Sequence, residues 1–296
     1  MSLDLNMTAI SREVFPTLVA TAGPILECSR LVSKDPSVRT LEVPVFSAVT
    51  AREFLQSDSG HTADAANNTK ISVTTSDIYH IMKMNQLQAG QTPVDLVSAY
   101  LPIIGSAIGL KCLAKMNALV TAANYTNTAM TSIIANFDAD DMADAATALS
   151  LAKAPKLGRY AVLSPSYTGS LSKDNAIQAA YAFGSDGVIR RNEIETVHGF
   201  RIHEVTDVEA SSDVAALEGW FASPDAFAAA FSPAANELTA WAPSVAARGS
   251  YTDPSTGITI STKIWDDNMG NICIGGYMGF GISRGNAGSL QILKSA

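Results

Sequence analysis

The chain has 296 residues, 47% apolar and only 16% charged, enough to bury one large core or two small ones and to leave surface that closes on a partner at little desolvation cost. Its net charge of −8, with no Lys- or Arg-rich arm, argues against tight nucleic-acid binding, which needs clustered cations to displace phosphate counterions. The three cysteines, Cys28, Cys112 and Cys273, have no zinc-ligand spacing and read as buried free thiols in a reducing compartment.

Residues 1–36 show little periodicity. Pro16, Gly23 and Pro24 break them into two short helical candidates, 11–18 and 24–32, in an arm or lead-in. Asp4, Arg12 and Glu13 interrupt any secretory signal. Residues 39–46 are β-rich, and Pro44 places that strand at an edge. Residues 70–75 alternate apolar and polar, a strand signal. The long Ala, Ser, Asp and Asn connection between them is the kind of loop that carries interactions. Residues 38–75 therefore read as a hairpin projecting from the body.

Thr92-Pro93 starts a helix with a cap and a proline at its first position, running to about 124 with a kink at Pro102. Ile108, Cys112, Met116 and Leu119 share one face, and Lys111 and Lys115 lie on a wetter one. Gly105-x-x-x-Gly109 would let another backbone approach, and the stretch from 103 to 124 would be about 33 Å long. The longest uncharged apolar run, 96–110, contains Pro102 and Gly105 and is shorter than the roughly 20 residues of a membrane helix. Residues 138–153 form a second helix, with Asp138, Asp140 and Asp141 at its positive end and Lys153 at the other.

Beyond it, 160–164 is a strand ended by Pro165, and 167–174 and 175–183 are helical. Residues 187–189 and 199–205 are strand-like, with His198-Gly199 as a turn. Pro224 opens an Ala-rich segment to 231 that reads as helix. Residues 245–265 and 271–283 read as β ribbons, with turns at 252–257 and 267–270.

Chemistry is sparse. Of His61, His80, His198 and His203, the last two stand on opposite faces of a strand and cannot easily share a metal. Asp138, Asp140 and Asp141 lack the Gly and terminal Glu of a calcium loop. Gly276-Tyr-Met-Gly279-Phe-Gly281 precedes no helix that could cradle phosphate, and suits a strand under close backbone approach. Ser164-Pro165-Ser166 follows a strand as a hydrolase nucleophile would, but lacks the Gly-x-Ser-x-Gly elbow. The pairs Asp140-Asp141 and Asp266-Asp267 have no identifiable partner. The expectation is no catalytic residue, no metal, no cofactor, and a chain that is not an enzyme.

The order of segments over 30–294 resembles a tailed-bacteriophage (Caudovirales) major capsid protein, whose fold encapsulin shells share. Residues 38–75 resemble that family's extended loop and 93–124 its spine helix. Gly158-Arg-Tyr-Ala-Val-Leu-Ser-Pro-Ser-Tyr-Thr-Gly-Ser-Leu171 resembles the entry into the axial domain, and 187–205 its sheet, with Gly199-Phe-Arg-Ile202 at its core. Ala222-Ser-Pro-Asp-Ala-Phe-Ala-Ala-Ala230 resembles a helix near the capsomer axis, and 245–294 the return to the peripheral sheet.

The resemblance implies an α+β fold: an N-terminal arm over 1–36, an extended β-hairpin loop over 37–78, a peripheral domain over 79–155 and 240–296 with a long spine helix, and an axial domain over 156–239. It also implies self-assembly into hexamers and pentamers of an icosahedral shell around double-stranded DNA, without sequence-specific binding. The shell would be made in the host bacterial cytoplasm and located in the virion, away from membranes. Partners would be copies of the chain, a separate scaffolding protein and a portal, with a decoration protein as an option. No lysine lies between Lys34 and Lys70, so lysine cross-linking from the loop tip is not expected. By placement, Arg52, Glu53 and Phe54 are candidate contacts near the loop, and Arg248, Asp253, Lys263 and Asp266 candidate subunit contacts of the peripheral domain. The alternatives are an encapsulin-like nanocompartment shell and a soluble α/β enzyme, the latter disfavoured by the lack of any convergent acid, base or nucleophile.

Overall fold

In the computed structural model the described residues are 7–33, 40–46, 68–85, 96–182, 196–206, 208, 215–234, 245–267 and 269–296. The first element overturns an expectation. Residues Met7–Cys28 form one helix, α1, in place of two fragments in an arm. Pro16 and Pro24 each remove one helical hydrogen bond, yet the helix continues because its apolar stripe is anchored along its length. Ile10, Val14, Leu18, Ala22, Ile25 and Cys28 recur at helical spacing and are all buried.

Strands β1 (Ser29–Ser33), β2 (Thr40–Phe46), β3 (Asn68–Thr74) and β4 (Ser76–Asn85) follow. Antiparallel pairing of β2 and β3 runs from Thr40 opposite Thr74 to Phe46 opposite Asn68, the stem of the expected hairpin. The sequence reading missed β4. Helix α2 (Leu96–Asn117), about 33 Å long and including Pro102, is the expected long helix but stops at Asn117, short of residue 124, and its expected start at Thr92-Pro93 lies outside the described residues. Helix α1 packs along it at the two glycines. A Cβ on Gly105 would come within 2.5 Å of the Val14 carbonyl oxygen, and one on Gly109 within 2.7 Å of the Thr21 Cβ.

After β5 (Met130–Ser132) and a 3-10 turn (Ile134–Asn136) comes α3 (Ala139–Leu151). Its cap is Asp138, whose side chain accepts from the N–H groups of Asp140 and Asp141. Strand β6 (Arg159–Leu163) leads through Pro165 into α4 (Pro165–Lys173) and α5 (Asn175–Ala182). Strands β7 (Thr196–Val197) and β8 (Phe200–Glu204) form a hairpin, with φ of 48° at His198 and 82° at Gly199, as the sequence anticipates.

A second correction concerns 222–231. The Ala-rich segment is not a helix. It is the end of β9 (Leu217–Ala222), a turn at Pro224-Asp225, and strand β10 (Phe227–Ser232). Every residue of β10 is buried, so packing from both sides overrides the helix propensity of Ala228, Ala229 and Ala230. Strands β11 (Val245–Thr252), β12 (Thr259–Asp266), β13 (Asn271–Arg284) and β14 (Leu290–Ser295) complete the chain.

These strands build two six-stranded sheets. In the first, β13 is long enough to pair with β12 and β10 along one edge and β4 along the other. The ladders β11–β12 and β1–β10 extend it. The second runs β5-β14-β9-β6-β8-β7. Thus β5 and β14, expected in the peripheral region, join the sheet of the axial segment, because β14 pairs with β9. The return to the first sheet happens at β10, ahead of residue 240. One apolar core unites α1, α2 and facing sides of both sheets, including Ile104, Ile108, Trp220, Ile274, Phe280 and Ile292. A second core lies between the far face of the second sheet and α3 and α4, with Phe137, Tyr167, Phe200, Phe221 and Leu293.

Candidate subunit interface

The hairpin stem has an inner and an outer face, set by β alternation. Leu41, Val43 and Val73 are buried against Ala228 and Ala230 of β10. Small side chains on β10 let the stem lie close to the sheet. On the outer face the Lys70 Nζ sits 2.8 Å from a Glu42 carboxylate oxygen, an exposed pair of little energetic weight. Pro44 pairs opposite Lys70 in this two-stranded ladder, where both strands are edges. The stem leads to 47–67, so Arg52, Glu53 and Phe54 lie outside the described residues.

The other predicted contacts are not brought together. Arg248 is exposed on β11, directly across the ladder from Lys263 on β12. Lys263 is 2% exposed, with its Nζ 5.5 Å from the Tyr277 ring centroid, a cation–π position in the interior rather than an outward charge. Asp253 organises its own turn. Its carboxylate accepts from the Ser255 hydroxyl, the Thr256 hydroxyl at 2.7 Å and the Thr256 N–H at 2.9 Å, and these bonds lower its pKa. Asp266 is half-buried at the end of β12. Of the four, Arg248 alone is exposed.

Exposed apolar side chains that the sequence reading did not single out stand elsewhere: Ile103 and Leu110 on α2, Ile133 just before the 3-10 turn and Ile134 in it, Leu151 at the end of α3 and Leu157 beyond it. A signal existed on α2, where Ile103 and Leu110 stand two turns apart on one side, away from the buried Ile104, Ile108 and Cys112.

Polar groups serve structure. An open cleft of about 680 Å³ lies between the 3-10 turn and the α4–α5 corner, lined by Asn136, Ser166, Ser170, Lys173 and Asp174 among others. Asp174 caps two helices from there, accepting from Ala139 N–H and Ala176 N–H at 3.0 Å each. The Ser164 hydroxyl donates to Glu218 at 2.7 Å, tying α4 to β9. His203 and Arg201 hold the Glu27 carboxylate at 2.7 and 3.1 Å, fastening α1 to β8. His198 sits on the β7–β8 turn, apart from that group. Among the described residues no three His, Cys, Asp or Glu side chains converge as metal ligands. Burial pushes the Cys112 thiol up to about 12 and the Cys28 thiol well above its ordinary value, leaving neither a nucleophile near neutrality.

No protein-family model matches the chain, and no curated protein does. Solved structures match along nearly its whole length. The capsid of Ralstonia phage GP4 aligns with a TM-score of 0.58 at 12% identity, covering 90% of this chain and 86% of that one. The chain has the tailed-phage capsid fold. The capsid of cyanophage P-SCSP1u aligns with a TM-score of 0.57 at 13% identity, covering 92% of this chain and 86% of that one. Mycobacterium phage Che8 aligns at 0.53 and 17%, covering 87% and 85%.

Proposed function

We propose that the chain is a major capsid protein that assembles into hexamers and pentamers of an icosahedral shell around double-stranded DNA. The observation that carries this reading is the capsid fold along about nine-tenths of the chain, matched to capsids of several phages. The stem supports it physically: an edge ladder leading to a long polar loop gains backbone partners when laid on another copy. Net charge of −8 suits a wall that encloses DNA without gripping it. In this reading the chain is a structural protein of the virion and catalyses nothing. Arg52, Glu53, Phe54 and Arg248 contact neighbouring copies, and scaffolding and portal proteins are partners.

Negative-stain electron microscopy with sizing tests this, on the purified chain and on the chain co-expressed with its genomic neighbours. Closed particles or capsomer rings are expected. A stable monomer or dimer under every condition would overturn the shell reading. Arg52→Glu should impair assembly while leaving the subunit folded.

A further inference from the structure

Two exposed surfaces, one on α2 and one at the start of α3, each combine apolar side chains with charge of opposite sign. One is the outer face of α2. Ile103 and Leu110, 48% and 47% exposed, stand two turns apart on the same side, with Pro102 beside them and Ser106 and Ala107 half-buried between. Lys111 is exposed next to Leu110, and Lys115 lies one turn further on, donating to the Ser76 hydroxyl. A basic rim thus borders an apolar strip. The other surface is the start of α3. Ile133 and Ile134, 46% and 44% exposed, lead in sequence into α3, on which Asp140 and Asp144, one turn apart, are exposed, while Lys173 lines the cleft that Ile134 borders. Apolar side chains here thus precede a helix whose outward side carries two carboxylates.

We propose that these two surfaces are the halves of one contact between copies of this chain. The α2 strip of one copy receives Ile133 and Ile134 of the next, and Lys111 faces Asp140 and Asp144. This rests on the shell reading and deepens it, by naming which surfaces meet. The occupant is a second copy because the matching charge and apolar area stand on this same chain. Like-sign rims would repel, whereas these attract and fix orientation. The two halves are different surfaces, so the contact is head-to-tail, the type that closes into rings. It also accounts for the two large apolar side chains that α2 leaves exposed.

Charge reversal tests the pairing. Lys111→Glu alone, and Asp140→Lys with Asp144→Lys alone, are expected to cut assembled material at least tenfold by sizing and microscopy. All three changes together should restore it. These side chains are exposed, and circular dichroism of each variant should match the parent. A second test is positional. Leu110→Cys combined with Ile134→Cys should give a ladder of oxidised multimers on a non-reducing gel, and neither single variant should. Cys28, Cys112 and Cys273 are buried and will not compete. Full assembly of both reversed variants, or failure of the combined one together with them, would overturn the contact while leaving the shell reading intact. A parent chain that never assembles would overturn both.

Discussion

Arg159 shows what a single buried cation can do without a carboxylate. It is 4% exposed and sits at the carboxyl end of α3, where helix carbonyls lack partners. Its guanidinium donates to the carbonyls of Ala146, Pro155 and Ala154 at 2.9, 2.9 and 3.0 Å, and to the Ser150 hydroxyl at 3.2 Å. Planar donors pointing three ways suit this ring of oxygens, and an ammonium does not. Arg159→Lys should therefore cost roughly 1.5–3 kcal/mol in urea unfolding, the range for hydrogen bonds to a charged group. A loss within error would mean the ring is filled another way. Nothing in the sequence distinguished Arg159 from a surface arginine, because its acceptors are backbone atoms. Lys263 was misjudged for a related reason. Both faces of β12 are covered, so a charged residue there gives no cue to its direction.

Among elements, legibility followed how local the determining force is. Helix α3 was readable because Asp138 caps it from one residue away. The β7–β8 turn was readable because positive φ at two successive residues suits His-Gly. Helix α1 was not, because prolines are local and the partner that overrides them, α2, is distant in sequence. Strand β10 failed for the same reason: alanine favours helix in isolation and fits a crowded sheet in context. Strand β4 hid because Ile78 and Met84 on one face alternate with Tyr79 and Ile81 on the other, blurring the two-residue period. The proposed loop contacts were least legible, since Arg52, Glu53 and Phe54 carry no sequence pattern of their own. The α1–α2 seam makes a direct prediction. Gly105→Ala places a methyl against the Val14 carbonyl and should lower stability by about 1–3 kcal/mol in denaturant unfolding. The turn between β12 and β13 makes another. Lys83 reaches Asp267 at 2.6 Å, and that bond, with the N–H groups of Met269 and Asn271 and the Asn271 side chain, holds the Asp267 carboxyl well below its usual range. A lowered folded pKa adds stability above the unfolded value, about 3.9, and loses it as pH falls through the folded one. Unfolding at pH 7, 4 and 2 should show Asp267→Asn weaker than the parent at pH 7, with the gap closing in acid.

For the whole molecule, the shared core has a thermodynamic consequence. Helix α1 touches the first sheet at β11 and β12 and the second at β6, so the core that the two sheets share opens if α1 leaves. Calorimetry of the unassembled subunit should give one cooperative transition for this body. Two separated transitions would show that the sheets are independent domains. The hairpin is held differently, by Leu41, Val43 and Val73 resting on two alanines. A closed surface bends more sharply at its five-fold corners than across its flat facets, yet it is tiled by one polypeptide. Stiff and soft parts in series share the load unequally, and the soft one takes nearly all the deformation. In the proposed shell, a stem seated on small residues would be the compliant joint, letting each copy meet a different local curvature while its body keeps one shape.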